Sequence, residues 1–156
     1  MAADRLALRL FVYGTLKRGG RYHDSYCGGA SAIEGATVRG RLYTIPAGYP
    51  VLVVPSDSIL AHGSRDALAD VRLQAQVAPT VTIADGEDWQ EIAGELQAFV
   101  DPPVRLAALD ALEDFHPDAA SLYRRVLLAV RRENGASVTA WAYVEGTRNR
   151  PPSAGR

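Results

Sequence analysis

The chain has 156 residues, a formal net charge of −1 and 47% apolar residues. That is enough chain to close one hydrophobic core, and the near-neutral balance excludes the basic face that a nucleic-acid binder needs. Cys27 is the sole cysteine, which excludes an internal disulfide and favours a reducing compartment. The apolar run from Leu6 to Val12 is broken by Arg9 and leads into a turn rather than a small-residue cleavage site. No stretch approaches the roughly 20 apolar residues that span a bilayer. The expectation is a cytoplasmic single domain over residues 1–147, followed by a disordered tail over 148–156, where Pro151 and Pro152 sit among few apolar residues.

In chain order, Leu8, Leu10 and Val12 alternate with Arg9 and Phe11 and predict a strand, which Gly14, Gly19 and Gly20 then punctuate. A second strand is predicted over 38–45, closed by Pro46, and a short buried one over 49–55 between prolines. Residues 56–92 read as an insertion. Within it Val71, Leu73, Ala75 and Val77 alternate with polar residues and favour a strand, although Ser64 to Leu68 would also open a helix. Ile92 to Val100 predicts a further strand. Asp101 and Pro102 then supply an N-cap and a first helical residue for a helix running to about Asp114. Two more strands, over 123–130 and 137–144, flank the Asn134-Gly135 hairpin signal. Many short strands with one clear helix imply an α+β fold with a curled or closed sheet.

Two places carry candidate chemistry. The first is the end of the opening strand, Tyr13-Gly14-Thr15-Leu16. Successive N–H groups at a strand-to-turn junction form a concave anion site, and a glycine lets a ligand approach the backbone closely. The following Gly20-Arg21 replaces the Lys-Ser/Thr of a nucleotide phosphate loop, so that class is excluded. An ordinary glycine turn is the bland alternative. The second is Glu113. A 3.6-residue period sets it on the helix side that carries Leu106 and Leu109, in the last turn, where burial and the helix dipole both raise a carboxylate pKa. Such a group suits general acid–base work near neutral pH; a boundary glutamate curling out to water is the alternative.

Other constellations are weaker. His23 and Cys27 stand four apart without a second pair at metal spacing. His62-Gly63-Ser64 lacks the glycine frame of a nucleophile elbow. His116 reads as a solvated loop residue. Asp85, Glu87, Asp88 and Glu91 around Trp89 lack calcium-loop spacing and read as a solvated surface. Neither a metal nor a cofactor is implied, and neither a nucleic-acid nor a membrane partner.

The ordered series Val12-Tyr13-Gly14-Thr15-Leu16-Lys17-Arg18-Gly19, Gly48-Tyr49-Pro50, Gly94-Glu95-Leu96, Leu109-Asp110-Ala111-Leu112-Glu113, Leu122-Tyr123-Arg124-Arg125-Val126 and Ala140-Trp141-Ala142-Tyr143-Val144 resembles the gamma-glutamylcyclotransferase-like superfamily. It is most similar to the branch containing gamma-glutamylamine cyclotransferase and the butirosin-pathway cyclotransferase. The resemblance covers about residues 6–55 and 93–145. It implies a small mixed β-barrel with flanking helices and a cavity at the barrel mouth. It also implies a cofactor-free reaction in which the α-amine of a γ-glutamyl group attacks its own γ-amide carbonyl, giving 5-oxoproline and the freed amine. The family's catalytic glutamate matches Glu113, and its substrate-binding loop matches Tyr13, Gly14, Thr15 and Leu16. Tyr123 and Tyr143 would either wall the pocket or pack in the core. Two departures stand out: Asp114 follows Glu113 where glycine is usual, and the 56–92 segment has no counterpart. Either leaves room for a non-catalytic module that binds a small metabolite on the same fold.

Overall fold

The computed structural model describes residues 7–14, 17, 30–46, 48, 50–80, 89–100, 102–113, 115 and 123–146. The expected tail over 148–156 lies outside them, as do Thr15, Leu16 and Asp114. The opening strand β1 runs Leu8–Val12. It is followed by β2 (Ala32–Thr44), β3 (Pro50–Val53), a single 3-10 turn (Ser56–Ser58), β4 (Ala61–His62), α1 (Ala67–Gln76), β5 (Gln90–Phe99), α2 (Pro102–Leu112), β6 (Tyr123–Arg132) and β7 (Ser137–Glu145). The last two strands meet at a tight turn in which Gly135 takes φ 88°, a conformation that favours glycine.

Residues 71–77, expected as a strand, instead belong mostly to helix α1. Asp66 caps that helix by accepting a 3.0 Å hydrogen bond from the Ala69 amide. Of the alternating set only Val71 is fully buried, while Ala75 is exposed. The buried positions are Asp70, Val71 and Gln74, at helical spacing. A capped start and a polar residue on the buried face therefore outweigh a two-residue pattern.

The strands lie in the order β3-β2-β5-β1-β7-β6-β4, and β2 also pairs with β6 through Ala36–Arg132 and Thr37–Arg131. That second pairing closes β2, β5, β1, β7 and β6 into a barrel and leaves β3 and β4 as outer strands. Pairings are antiparallel except β1 with β7, which run parallel with Leu10 opposite Trp141 and Phe11 opposite Ala142. Side chains pin the closing seam. Arg132 meets Glu34 at 3.0 Å, and the Glu133 carboxylate accepts from the Gly35 amide at 3.0 Å.

Alternation along the strands builds two apolar layers. Phe11, Val38, Ile92, Leu96, Leu128 and Ala142, drawn from every barrel strand, fill the interior. Leu8, Leu10, Val12, Leu127, Trp141 and Tyr143 face outward and are covered by Val71 of α1 and by Leu106 and Leu109 of α2. β7 is thus buried on both faces, with Val138, Ala140, Ala142 and Val144 inward and Thr139, Trp141 and Tyr143 outward. Beyond the β1–β7 ladder, Gln74 of α1 substitutes for a strand partner. Its side chain accepts from the Arg9 amide and donates to the Ala7 carbonyl, both at 2.9 Å. Residues 56–80, part of the segment read as an insertion, reach the barrel through this helix and through the pairing of β4 with β6.

Gly94 is required where β5 passes β1. A Cβ there would lie 2.4 Å from the Val12 carbonyl oxygen and 2.6 Å from the Phe11 ring. Gly94→Ala is expected to cost about 1–3 kcal/mol, read as a lowered urea midpoint with an unchanged slope.

Candidate active site

The parallel pairing of β1 with β7 makes both strands finish at the same end of the barrel. Tyr13 and Gly14 leave β1 beside the close of β7 at Val144 and Glu145. β6 starts there with Tyr123 opposite Glu145, and β2 arrives with Tyr43 and Thr44, the latter opposite Pro50 of β3. Phenols tie these ends together. The Tyr13 hydroxyl donates to the Tyr143 carbonyl at 2.5 Å and accepts from the Leu52 amide at 3.2 Å. The Tyr123 hydroxyl donates to the Pro50 carbonyl at 3.0 Å, and that of Tyr43 to Glu145 Oε2 at 2.9 Å. Gly14 packs where a Cβ would stand 3.0 Å from the Pro50 ring, and its carbonyl accepts from the Lys17 amide at 3.0 Å, closing a turn.

Glu113 reaches this end from α2. Leu106 and Leu109 bury one side of the helix, and the Glu113 amide still donates to the Leu109 carbonyl at 2.9 Å, one residue past the helical span. Its side chain is half-buried, and burial pushes the carboxyl up to about 7. Its charge is felt by both Tyr13 and Tyr143. Each phenol is held well above its ordinary value first by its own burial, then by Tyr123 and Glu113 for Tyr13 and by Asp110 and, to a lesser degree, Glu113 for Tyr143. Tyr13, Gly14 and Glu113 therefore share one end of the barrel, a hundred residues apart in sequence. Thr15 and Leu16 lie outside the described residues.

Beneath Glu113 lies a network that periodicity does not reveal. Arg125 is 1% exposed and forks onto Asp110 of α2, with Nε to Oδ1 at 2.9 Å and Nη2 to Oδ2 at 3.1 Å. Its Nη1 donates to Asp70 of α1 at 2.9 Å, and Nη2 also reaches the Ser64 carbonyl at 3.0 Å. Burial disfavours the guanidinium charge, but the Asp110 hydrogen bonds, the electrostatic influence of Tyr143, the Asp110 charge and the Asp70 hydrogen bond outweigh it and move the pKa upward. The Tyr143 hydroxyl donates to Asp110 Oδ1 at 2.5 Å. The available sequence signal was a charged residue between Tyr123 and Leu127 on the face that the alternation buries.

Of the weaker candidates, His62 is exposed on β4. Glu91 is exposed and stands 3.9 Å from Arg131, and Trp89 lies under the Arg41 guanidinium at 4.4 Å. His23, Cys27, Asp85, Glu87, Asp88 and His116 lie outside the described residues. A separate cleft of about 270 Å³, bordered by Thr37, Arg39, Glu91 and Arg131, opens near the barrel seam and includes none of the predicted site residues.

The architecture is similar to several solved structures. At5g39720.1 from Arabidopsis thaliana aligns with a TM-score of 0.57 at 18% identity, over 99% of this chain and 78% of that one. YkqA from Bacillus subtilis aligns with a TM-score of 0.54 at 19% identity over 91% of this chain, which spans 38% of YkqA. At3g28950.1 from Arabidopsis thaliana gives 0.51 at 16% identity over 94% of this chain and 66% of that one. The fold is the mixed five-stranded barrel with two helices of the gamma-glutamylcyclotransferase type. No curated protein matches the sequence. The family model for gamma-glutamyl cyclotransferase, AIG2-like, matches residues 10–70 and 61–155, and the chain belongs to that family.

Two outcomes follow from the electrostatics. The Glu113 carboxyl is raised from 4.5 to about 7. The folded state therefore holds more protons than the unfolded state between those values, and stability falls as pH rises through that window. Glu113→Gln removes this dependence, so its stability relative to the parent is expected to rise between about pH 4.5 and 7 and then level off, as read by denaturant titration at a series of pH values. Arg125→Ala leaves the buried Asp70 and the half-buried Asp110 without their cation, and is expected to cost about 3–5 kcal/mol in the same assay.

Proposed function

We propose that this chain is a cytoplasmic cyclotransferase acting on a γ-glutamyl amine or amide, in the branch that the sequence most resembles. The observation that carries the reading is a half-buried carboxyl, Glu113, with its pKa moved to about 7 and its charge felt by Tyr13 at the end of the first strand. A group poised there takes and returns a proton near neutral pH.

The nucleophile is already part of the substrate, so the protein has to hold a ring-closing pose. Proximity of that kind supplies about 7–11 kcal/mol when the geometry is right. In this reading the loop Tyr13, Gly14, Thr15 and Leu16 binds the substrate, its backbone N–H groups holding the α-carboxylate or the oxyanion that develops on the γ-carbonyl. The α-ammonium first gives one proton to water. The freed amine attacks the γ-carbonyl carbon, a new C–N bond closes the five-membered ring, and ionised Glu113 takes the second proton from the attacking nitrogen. Glu113 then gives the proton to the departing nitrogen as the old C–N bond breaks. 5-Oxoproline and the free amine leave, and the carboxylate is regenerated. The chemistry calls on no nucleophilic serine or cysteine.

A panel of γ-glutamyl amines, assayed for 5-oxoproline, tests the reading. The parent is expected to turn over at least one member, with kcat/KM rising with pH through about 7 as Glu113 ionises. Glu113→Gln is expected to lower kcat by about 10²–10⁴-fold. Absence of product across the panel would defeat the proposal, as would unchanged turnover in the variant. Asp114, standing where the family usually has glycine, is the feature that favours a second reading, a non-catalytic metabolite-binding module. That reading predicts ligand-dependent thermal stabilisation without product.

A further inference from the structure

The proposed chemistry uses Glu113 and the Tyr13 loop and leaves a second carboxylate at the same end of the barrel without a task. Glu145 closes β7 and is half-buried. Among the described residues its side chain has one partner, the Tyr43 hydroxyl at 2.9 Å. The phenol fixes one carboxylate oxygen, and the Arg124 guanidinium donates to the backbone carbonyl of the same residue at 2.8 Å. The other oxygen keeps its acceptor capacity.

Its position follows from the strands. Trp141, Tyr143 and Glu145 occupy alternate positions on β7, so Glu145 extends the outer face on which Tyr143 meets Asp110 of α2. Glu113 lies three residues beyond Asp110, and its charge reaches Tyr143. The register that pairs Leu10 with Trp141 and Phe11 with Ala142, carried past the end of β1, brings Gly14 alongside Glu145. Tyr123 faces Glu145 across the β6–β7 ladder, and the electrostatic influence of Tyr123 extends to both Tyr13 and Tyr43. Tyr43, Tyr123 and Tyr143 pack in the outer layer and Tyr13 against the inner one, its hydroxyl bonded to the Tyr143 carbonyl; the Glu113 charge reaches Tyr13 and Tyr143, and Glu145 holds the Tyr43 hydroxyl.

We propose that Glu145, oriented by Tyr43, is an ammonium-binding, specificity-determining subsite beside the Glu113 centre. This rests on the γ-glutamyl reading of the site. An oriented, half-buried carboxylate suits a ligand that carries a positive nitrogen. Two sources share that chemistry: the α-ammonium of the glutamyl group, or a second ammonium on the amine that leaves.

The test measures equilibrium binding to Glu113→Gln, with and without Glu145→Gln added. Three ligands are used: γ-glutamyl methylamide, which carries the α-ammonium alone; the γ-glutamyl conjugate of 1,4-diaminobutane, which carries a second ammonium; and glutaryl methylamide, which carries none. Adding Glu145→Gln is expected to weaken an ammonium-bearing ligand by about tenfold or more and to leave glutaryl methylamide unchanged. An equal loss for both charged ligands assigns the α-ammonium, and a loss confined to the diamine conjugate assigns the leaving amine. Tyr43→Phe keeps the carboxylate and loses its orientation, so it is expected to give a smaller loss on the same ligand. Unchanged affinity for all three ligands, an equal loss that includes the neutral one, or no binding by the parent overturns the subsite. Release of 5-oxoproline from γ-glutamyl methylamide by the unaltered chain is measured in parallel. Ammonium-dependent binding without product would defeat the enzyme and keep the subsite, while Glu113-dependent product with no effect of Glu145→Gln would do the reverse.

Discussion

One buried guanidinium organises the outer layer of this protein. Arg125 projects from β6 beneath both helices and is held by Asp70 of α1 and Asp110 of α2 at hydrogen-bond distance. A charge taken out of water is tolerated only where its donors are satisfied and its sign is met. Both conditions are fulfilled here by residues from different elements, so the two helices take up defined positions over one face of the barrel. Trp141 and Phe115 lie near the same guanidinium, at 5.3 and 5.2 Å from ring centre to Arg125 Cζ, and add apolar and π contact. Asp110 also receives the Tyr143 hydroxyl, so the clamp extends to the phenols.

The catalytic proposal depends on this arrangement through a short path. Glu113 follows Asp110 by three residues, just past the end of α2, and fixing Asp110 fixes where that turn ends. Burial of the half-exposed carboxyl there raises its pKa. Parallel pairing of β1 and β7 does the complementary work, because two strands running the same way deliver their ends to one place. A glycine turn, four phenols and two carboxylates collect there from five elements or their flanks.

The elements were mostly legible, for identifiable reasons. The predicted β1 coincides with the observed Leu8–Val12, and the hairpin turn at Asn134-Gly135 joins β6 and β7. The start of α2 at Pro102 followed from local chemistry that needs no tertiary partner. α1 was misread because its buried face carries Asp70 and Gln74, and a polar residue in a core position erases the apolar signal. Those residues are buried because distant groups satisfy them, Arg125 in one case and the backbone of β1 in the other. β2 was predicted too short. Its first half carries Gly35 and few large apolar side chains, and it is held as a strand by its ladder to β5.

At the site, sequence determined the chemical inventory: Tyr13 and Gly14 at a strand end, and a glutamate on the apolar side of a helix where burial would raise its pKa. These are local properties, set by side-chain period and turn chemistry. Tertiary structure alone decided that the strand end and Glu113 share one face, that Arg125 and Asp110 stand beneath them, and that Tyr43 and Glu145 join them. These decisions rest on the parallel β1–β7 register, the β2–β6 closure and an ion pair between residues 55 positions apart. Contacts at such separations follow from how the whole sheet closes, which no window of neighbouring residues encodes.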